Sequence, residues 1–104
     1  MDELLERVRD LLPDAEERRM FGGVGFMRGG HLVCSVSRRG LLVRLGEPAL
    51  AKAVTRPGVA PMVMAGRTSK GWARVDADVV ADEAALRDWV SRAETFVAGL
   101  PPKR

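Results

Sequence analysis

The sequence predicts an α+β domain: a mostly antiparallel five-stranded sheet packed by helices, in the order αβββαββα. Apolar residues alternate at period two from about residue 18 to residue 45, and the glycine-bearing stretches "RGG" and "RRG" break the alternation. Both ends of the chain instead repeat apolar residues at three and four spacing. Between the strand groups, "GEPALAKAVTRPG" has a proline near its start and a Pro–Gly stop, the signature of a short helix.

Each element follows from local chemistry. Leu4, Leu5, Val8, Leu11 and Leu12 form one stripe of a first helix that Pro13 closes. Residues 18–27 read as a strand with Met20, Val24 and Phe26 on one face and Phe21 and Met27 on the other. Gly29 and Gly30 turn the chain into "HLVCSVS", where Leu32, Cys34 and Val36 are expected on one face and His31, Val33, Ser35 and Ser37 on the other. A tight "RRG" turn leads to "LLVRL", completing a meander. After the second helix, "APMVMAG" starts with Pro61 and suits a sheet edge, and "GWARV" supplies the fifth strand, with "GRTSK" expected as the loop between them. The last helix places Leu86, Trp89, Val90, Ala93, Phe96, Val97 and Leu100 on one stripe behind the cap candidate Asp82, and Gly99, Leu100 and Pro101 suggest a Schellman-like end.

At 104 residues the chain is expected to be one domain, residues 1–104. No apolar run approaches the roughly 18 to 20 residues that cross a bilayer, and "MDELLERVRD" lacks the basic-then-apolar pattern of a secretory signal, so no membrane partner and a cytoplasmic location are expected. A single cysteine, Cys34, and a single histidine, His31, leave too few ligands for a disulfide or a zinc site, and no metal or other cofactor is expected.

Charge is unevenly placed. From Arg18 to Arg74 eleven basic residues accompany one acid, Glu47, while the flanks hold the other six bases and thirteen acids, for a total of +3. Such a basic middle marks an anion-binding face, or else a sheet that acidic terminal helices cover and neutralise. Fourteen Arg against three Lys, with no Ile, Asn, Gln or Tyr, reflects the bias of a GC-rich genome as much as phosphate recognition.

The motifs favour binding over catalysis. "FGGVGF" at 21–26 lies in a strand rather than before a helix and matches neither GxGxxG nor a P-loop, so its glycines read as a bulge, a sharp coil or a close approach. His31 and Cys34, three apart on a strand, are expected on opposite faces and so form no dyad. "GRTSKGW" at 66–72 combines cations, hydroxyls and glycines, as a backbone nest for a carboxylate or phosphate would; Trp72 alternatively anchors a solvated loop. Arg74 shares a face with Trp72, where it either stacks on the indole or extends a basic strip. The candidate anion- or partner-binding residues are Arg38, Arg39, Arg67, Ser69, Lys70, Trp72 and Arg74, with no catalytic residue among them.

"RRMFGGVGF", "LLVRLG", "GRTSKGW" and a last helix running into "LPPK" together resemble the N-terminal domain of the TfoX/Sxy family, bacterial regulators of natural competence, over roughly residues 15–103. The family commonly has methionine before the lysine of "KGW", where Ser69 stands here. The resemblance implies the αβββαββα fold of the secretion-chaperone-like class. It also implies a regulatory role, since full-length members act as transcriptional coactivators alongside the cyclic-AMP receptor protein and join this domain to a C-terminal one. That C-terminal competence-regulator domain is expected to be missing from this chain. The expected function is a non-enzymatic, protein-binding regulatory module, a homodimer whose partner is a transcription regulator or another regulatory protein. The alternative is a module for a small anion or a nucleic acid, bound weakly through the basic middle.

Overall fold

The computed structural model describes residues 2–20, 22–64 and 66–101; the side chains at 64 and 67–69 are outside this description. Phe21, expected on the second sheet face, and the terminal residues 102–104 lie outside the described residues. In chain order the elements are α1 (Asp2–Leu11), β1 (Glu16–Met20), β2 (Gly23–Arg28), β3 (His31–Ser37), β4 (Gly40–Arg44), α2 (Glu47–Ala53), β5 (Val59–Met64), β6 (Arg67–Asp76), α3 (Ala77–Val80) and α4 (Glu83–Ala98). The strands form one six-stranded antiparallel sheet in the order β1-β2-β3-β4-β6-β5.

The α+β class stands, but the sheet has six strands rather than five. The segment expected as one strand over 18–27 folds back on itself, with Gly22 at φ 75° in the turn and Met20 opposite Gly23. The fold-back also moves Met20. Arg19 now pairs with Val24 and Glu17 with Phe26, so Met20 lies on the face opposite Val24 and Phe26 rather than beside them. A second correction concerns β3. The register between β2 and β3 shifts after Phe26, which pairs with Cys34 while Met27 pairs with Leu32, so Val33 is an extra residue and the alternation slips. His31, Val33, Cys34 and Val36 are therefore all buried, and Leu32, Ser35 and Ser37 are half-exposed.

The third correction falls on "GRTSK". It is not a loop: β6 starts at Arg67 and runs through the motif to Asp76, pairing Met64 with Arg67 and Val63 with Thr68 before the register shifts. The irregularity is concentrated at Gly71, whose φ is +82° and whose carbonyl accepts from the N–H groups of both Leu45 and Gly46 at 2.8 and 3.1 Å. A Cβ on Gly71 would meet the Gly46 Cα at 3.1 Å, and one on Gly46 would meet the Phe96 ring at 2.5 Å. Two glycines far apart in sequence thus let two backbones cross beneath an aromatic ring.

One face of the sheet carries the core. Phe26, Cys34, Val36, Leu41, Val43 and Val75 are fully buried against Leu86, Trp89, Val90 and Ala93 of α4, joined by Val8 and Leu12 at the end of the first helix. Trp89, 2% exposed, lies under the guanidinium groups of Arg56 and Arg92 at 5.3 and 5.5 Å. The Asp82 carboxylate accepts from the Ala85 N–H at 2.9 Å and caps α4 as expected. Its C-terminus differs from the expected Schellman form: Gly99 stays right-handed at φ −81°, and the N–H groups of Gly99 and Leu100 bond three residues back, to Phe96 and Val97. The short α3 was not foreseen.

Candidate functional site

All the helix residues that are buried belong to this one core, which leaves the other face of the sheet without a helix among the described residues. Strand alternation decides what stands there. Leu42 pairs with Arg74 and Ser35, and Arg74 with Ala60, so these side chains point away from the helices. Between β1 and β5 the curved face forms a groove of about 360 Å³. Its apolar lining comes from Met20, Leu42, Met62 and Val63, with Val63 55% exposed. Gly23, Ser35 and Ser37 form a low floor between them. A Cβ on Gly23 would run into the Val36 carbonyl, and one on Gly25 would meet the Met20 sulfur at 2.8 Å and Leu32 at 2.7 Å. The "FGGVGF" glycines therefore serve a turn and close strand approach; no helix N-terminus follows them to receive a phosphate.

The candidate residues divide. Arg38 and Arg39, exposed at the β3–β4 turn, and half-buried Arg74 of β6 line the same groove. The Ser37 hydroxyl accepts from the Arg39 N–H at 3.3 Å and holds that turn. Among the described residues none of these three arginines has an acid within ion-pair reach. Lys70 lies apart, 3.8 Å from Glu47 at the start of α2. Half-buried Trp72 is covered by the Arg44 guanidinium at 5.6 Å, so the cation stacked on the indole is Arg44 rather than Arg74. Arg67 and Ser69 are strand residues of β6. Sequence reading missed the apolar part of the groove. Leu42, adjacent to the core residue Leu41, was its one legible signal, because neighbours on a strand face opposite ways.

The only thiol and imidazole are occupied otherwise. The β3 bulge puts His31 and Cys34 on the same buried face, contrary to the expectation of opposite faces, yet the ring makes other contacts. His31 Nε2 donates to the Pro101 carbonyl at 2.6 Å, leaving Nδ1 to accept from Arg44 Nη1 at 3.4 Å. Burial, aided by the charge of Glu94, pushes the Cys34 thiol up to about 12. A thiol held protonated is a poor nucleophile. Arg28 pairs with Glu94 at 2.7 Å beside them. Among the described residues no three His, Cys, Asp or Glu side chains gather as metal ligands would, and no helix is long and apolar enough to cross a membrane.

No curated protein and no solved structure matches the chain. A family model described as the TfoX N-terminal domain matches residues 6–97, from the second turn of α1 to the last turn of α4, and so takes in the Gly46–Gly71 crossing, the open sheet face and the core beneath it. The chain belongs to the TfoX N-terminal domain family.

Proposed function

We propose that this domain is a non-enzymatic regulatory module that binds a partner protein on the open face of its sheet, the partner being a transcription regulator or a protein of similar role. The supporting observation is the groove between β1 and β5, where Met20, Leu42, Met62 and Val63 stay accessible on a face that none of the described helices covers. Of the candidate residues, Arg38, Arg39 and Arg74 belong to this surface by position; Arg67, Ser69, Lys70 and Trp72 would extend it along β6. The test is a photo-crosslinking residue placed at Ser35 on the open face or at exposed Ser91 on α4, followed by titration of the purified captured protein against the purified domain. Capture from Ser35 with saturable binding is expected. Capture from Ser91 alone would overturn the reading.

A homodimer belongs to the same proposal through the edge strand β5. Val59–Met64 carry no charge, and pairing there would proceed by side-chain contact because Pro61 offers no N–H to a continued ladder. Light scattering above 11.3 kDa, lowered by Ala60→Glu, is the expected result.

The second reading, a small anion or a nucleic acid, draws on the three arginines of the groove, which pair with no acid among the described residues. The same wall carries apolar side chains that phosphates would not use.

A further inference from the structure

We infer that the groove docks an acidic segment of another protein, one that seats an aliphatic side chain on the sheet face with carboxylates beside it; this rests on the reading of the open face as the partner-docking surface. The charges of the groove are of one sign: Arg38 and Arg39 at one end and Arg74 on the wall, with no acid among its described lining residues. Its centre is apolar and shallow, with Ser35 and Ser37 giving room where larger side chains would fill the space. Met20 and Met62 flank that centre, and their unbranched thioethers adapt to whichever aliphatic group enters. A ligand complementary to both parts carries carboxylates beside an aliphatic side chain.

Other occupants match only part of this. Single-stranded nucleic acid uses aromatic platforms for its bases. The described residues of the groove include none, and the nearby indole of Trp72 already lies under Arg44. A second copy placed face to face by a two-fold axis would set this basic groove against an equally basic one, whose described lining offers no acid to meet Arg38, Arg39 or Arg74. A small inorganic anion leaves Met20, Leu42, Met62 and Val63 uncovered.

The test uses fluorescence anisotropy with a labelled synthetic peptide of about sixteen residues, leucines flanked by glutamates and aspartates, a length in the range of segments that fill such grooves. Its counterpart replaces every acid by Gln or Asn, and a labelled oligothymidylate serves as the polyanion. Saturable binding of the acidic peptide is expected. The amide counterpart, Arg38→Glu/Arg39→Glu and Val63→Asp should each weaken it about tenfold or more, and Arg87→Glu on the helical side should change it less than about twofold. Circular dichroism of each variant confirms the fold. No binding of the acidic peptide, or equal binding of the amide counterpart, overturns the acidic occupant while leaving the docking face to its own crosslinking test. Tighter binding of oligothymidylate, lost in the same double variant, makes the ligand a nucleic acid. Exclusion of the peptide by self-association of the domain makes it a second copy. Loss of binding in Arg87→Glu alone moves the site to the helices and refutes the docking face as well.

Discussion

Replacing Gly46 by alanine tests the backbone crossing on which the β4–β6 end of the sheet depends. Gly46 sits at φ 85° and ψ 158°, a region open essentially only to glycine, and holding alanine there costs about 1 to 3 kcal/mol. The new methyl would stand 2.5 Å from Cε1 and 3.0 Å from Cδ1 of Phe96. Relief would require the half-buried ring, which packs against the core with the Arg44 guanidinium 5.8 Å from its centroid, to turn out of that packing. Overpacking of this kind adds about 1 to 3 kcal/mol. The expected total is about 2 to 6 kcal/mol, a large part of the roughly 5 to 15 kcal/mol that stabilises a domain. The two terms separate in a double-mutant cycle. In a Phe96→Ala background only the backbone part should remain, so the coupling between the positions should be about 1 to 3 kcal/mol. Urea unfolding followed by tryptophan fluorescence and far-ultraviolet circular dichroism reads all four proteins. A loss below about 1 kcal/mol in the single variant, or an equal loss in both backgrounds, would refute the crowded crossing.

The other predictions probe the core, the thiol and the charged face. Trp89→Ala empties a site 2% exposed and flanked by two arginines, and should cost about 3 to 5 kcal/mol in denaturant unfolding; a loss below about 1 kcal/mol would contradict the packing of α4. Cys34 should resist a thiol reagent near pH 8 in the native state and react on unfolding. Its folded value, about 12, lies above the ordinary 9.0, so its contribution to stability is complete below pH 9 and declines as the pH rises toward 12. Cys34→Ala should flatten that part of the stability profile, and an unchanged alkaline slope would count against it. Any association with a bulk polyanion should be weak at low salt and largely gone at physiological salt, where the Debye length is about 8 Å. Arg38→Glu/Arg39→Glu should reduce it more than Lys70→Glu, whose parent residue already neighbours Glu47; the reverse order in a salt titration would place the anion site on β6.

What the sequence by itself determined was the set of local elements. Leu4, Val8 and Leu12 announce the first helix, Asp82 and the Trp89–Phe96 stripe announce α4, Gly29–Gly30 sets a hairpin, and Pro61 marks an edge strand, because capping, periodicity and turn geometry act within a few residues. The asymmetry of charge was legible for the same reason, being a property of composition. Tertiary pairing decided the rest. Whether Val33 is an extra residue in β3 depends on how β2 registers against it, and that shift brings His31 and Cys34 to one face when alternation alone had separated them. The fold-back at Gly22, which adds a strand and turns Met20 outward, is settled by the pairing of β1 with β2. The "GRTSKGW" stretch has the polar, glycine-rich composition of a loop, yet pairing with β4 and β5 recruits it into a strand, with Gly71 spared a side chain so that Gly46 can pass. Arg38, Arg39 and Arg74 meet Met20 and Met62 only because β1 and β5, remote in sequence, border one curved sheet face. Patterns along a chain reveal which way a side chain points relative to its neighbours, whereas the groove is a relation between strands and exists only once long-range pairing has formed.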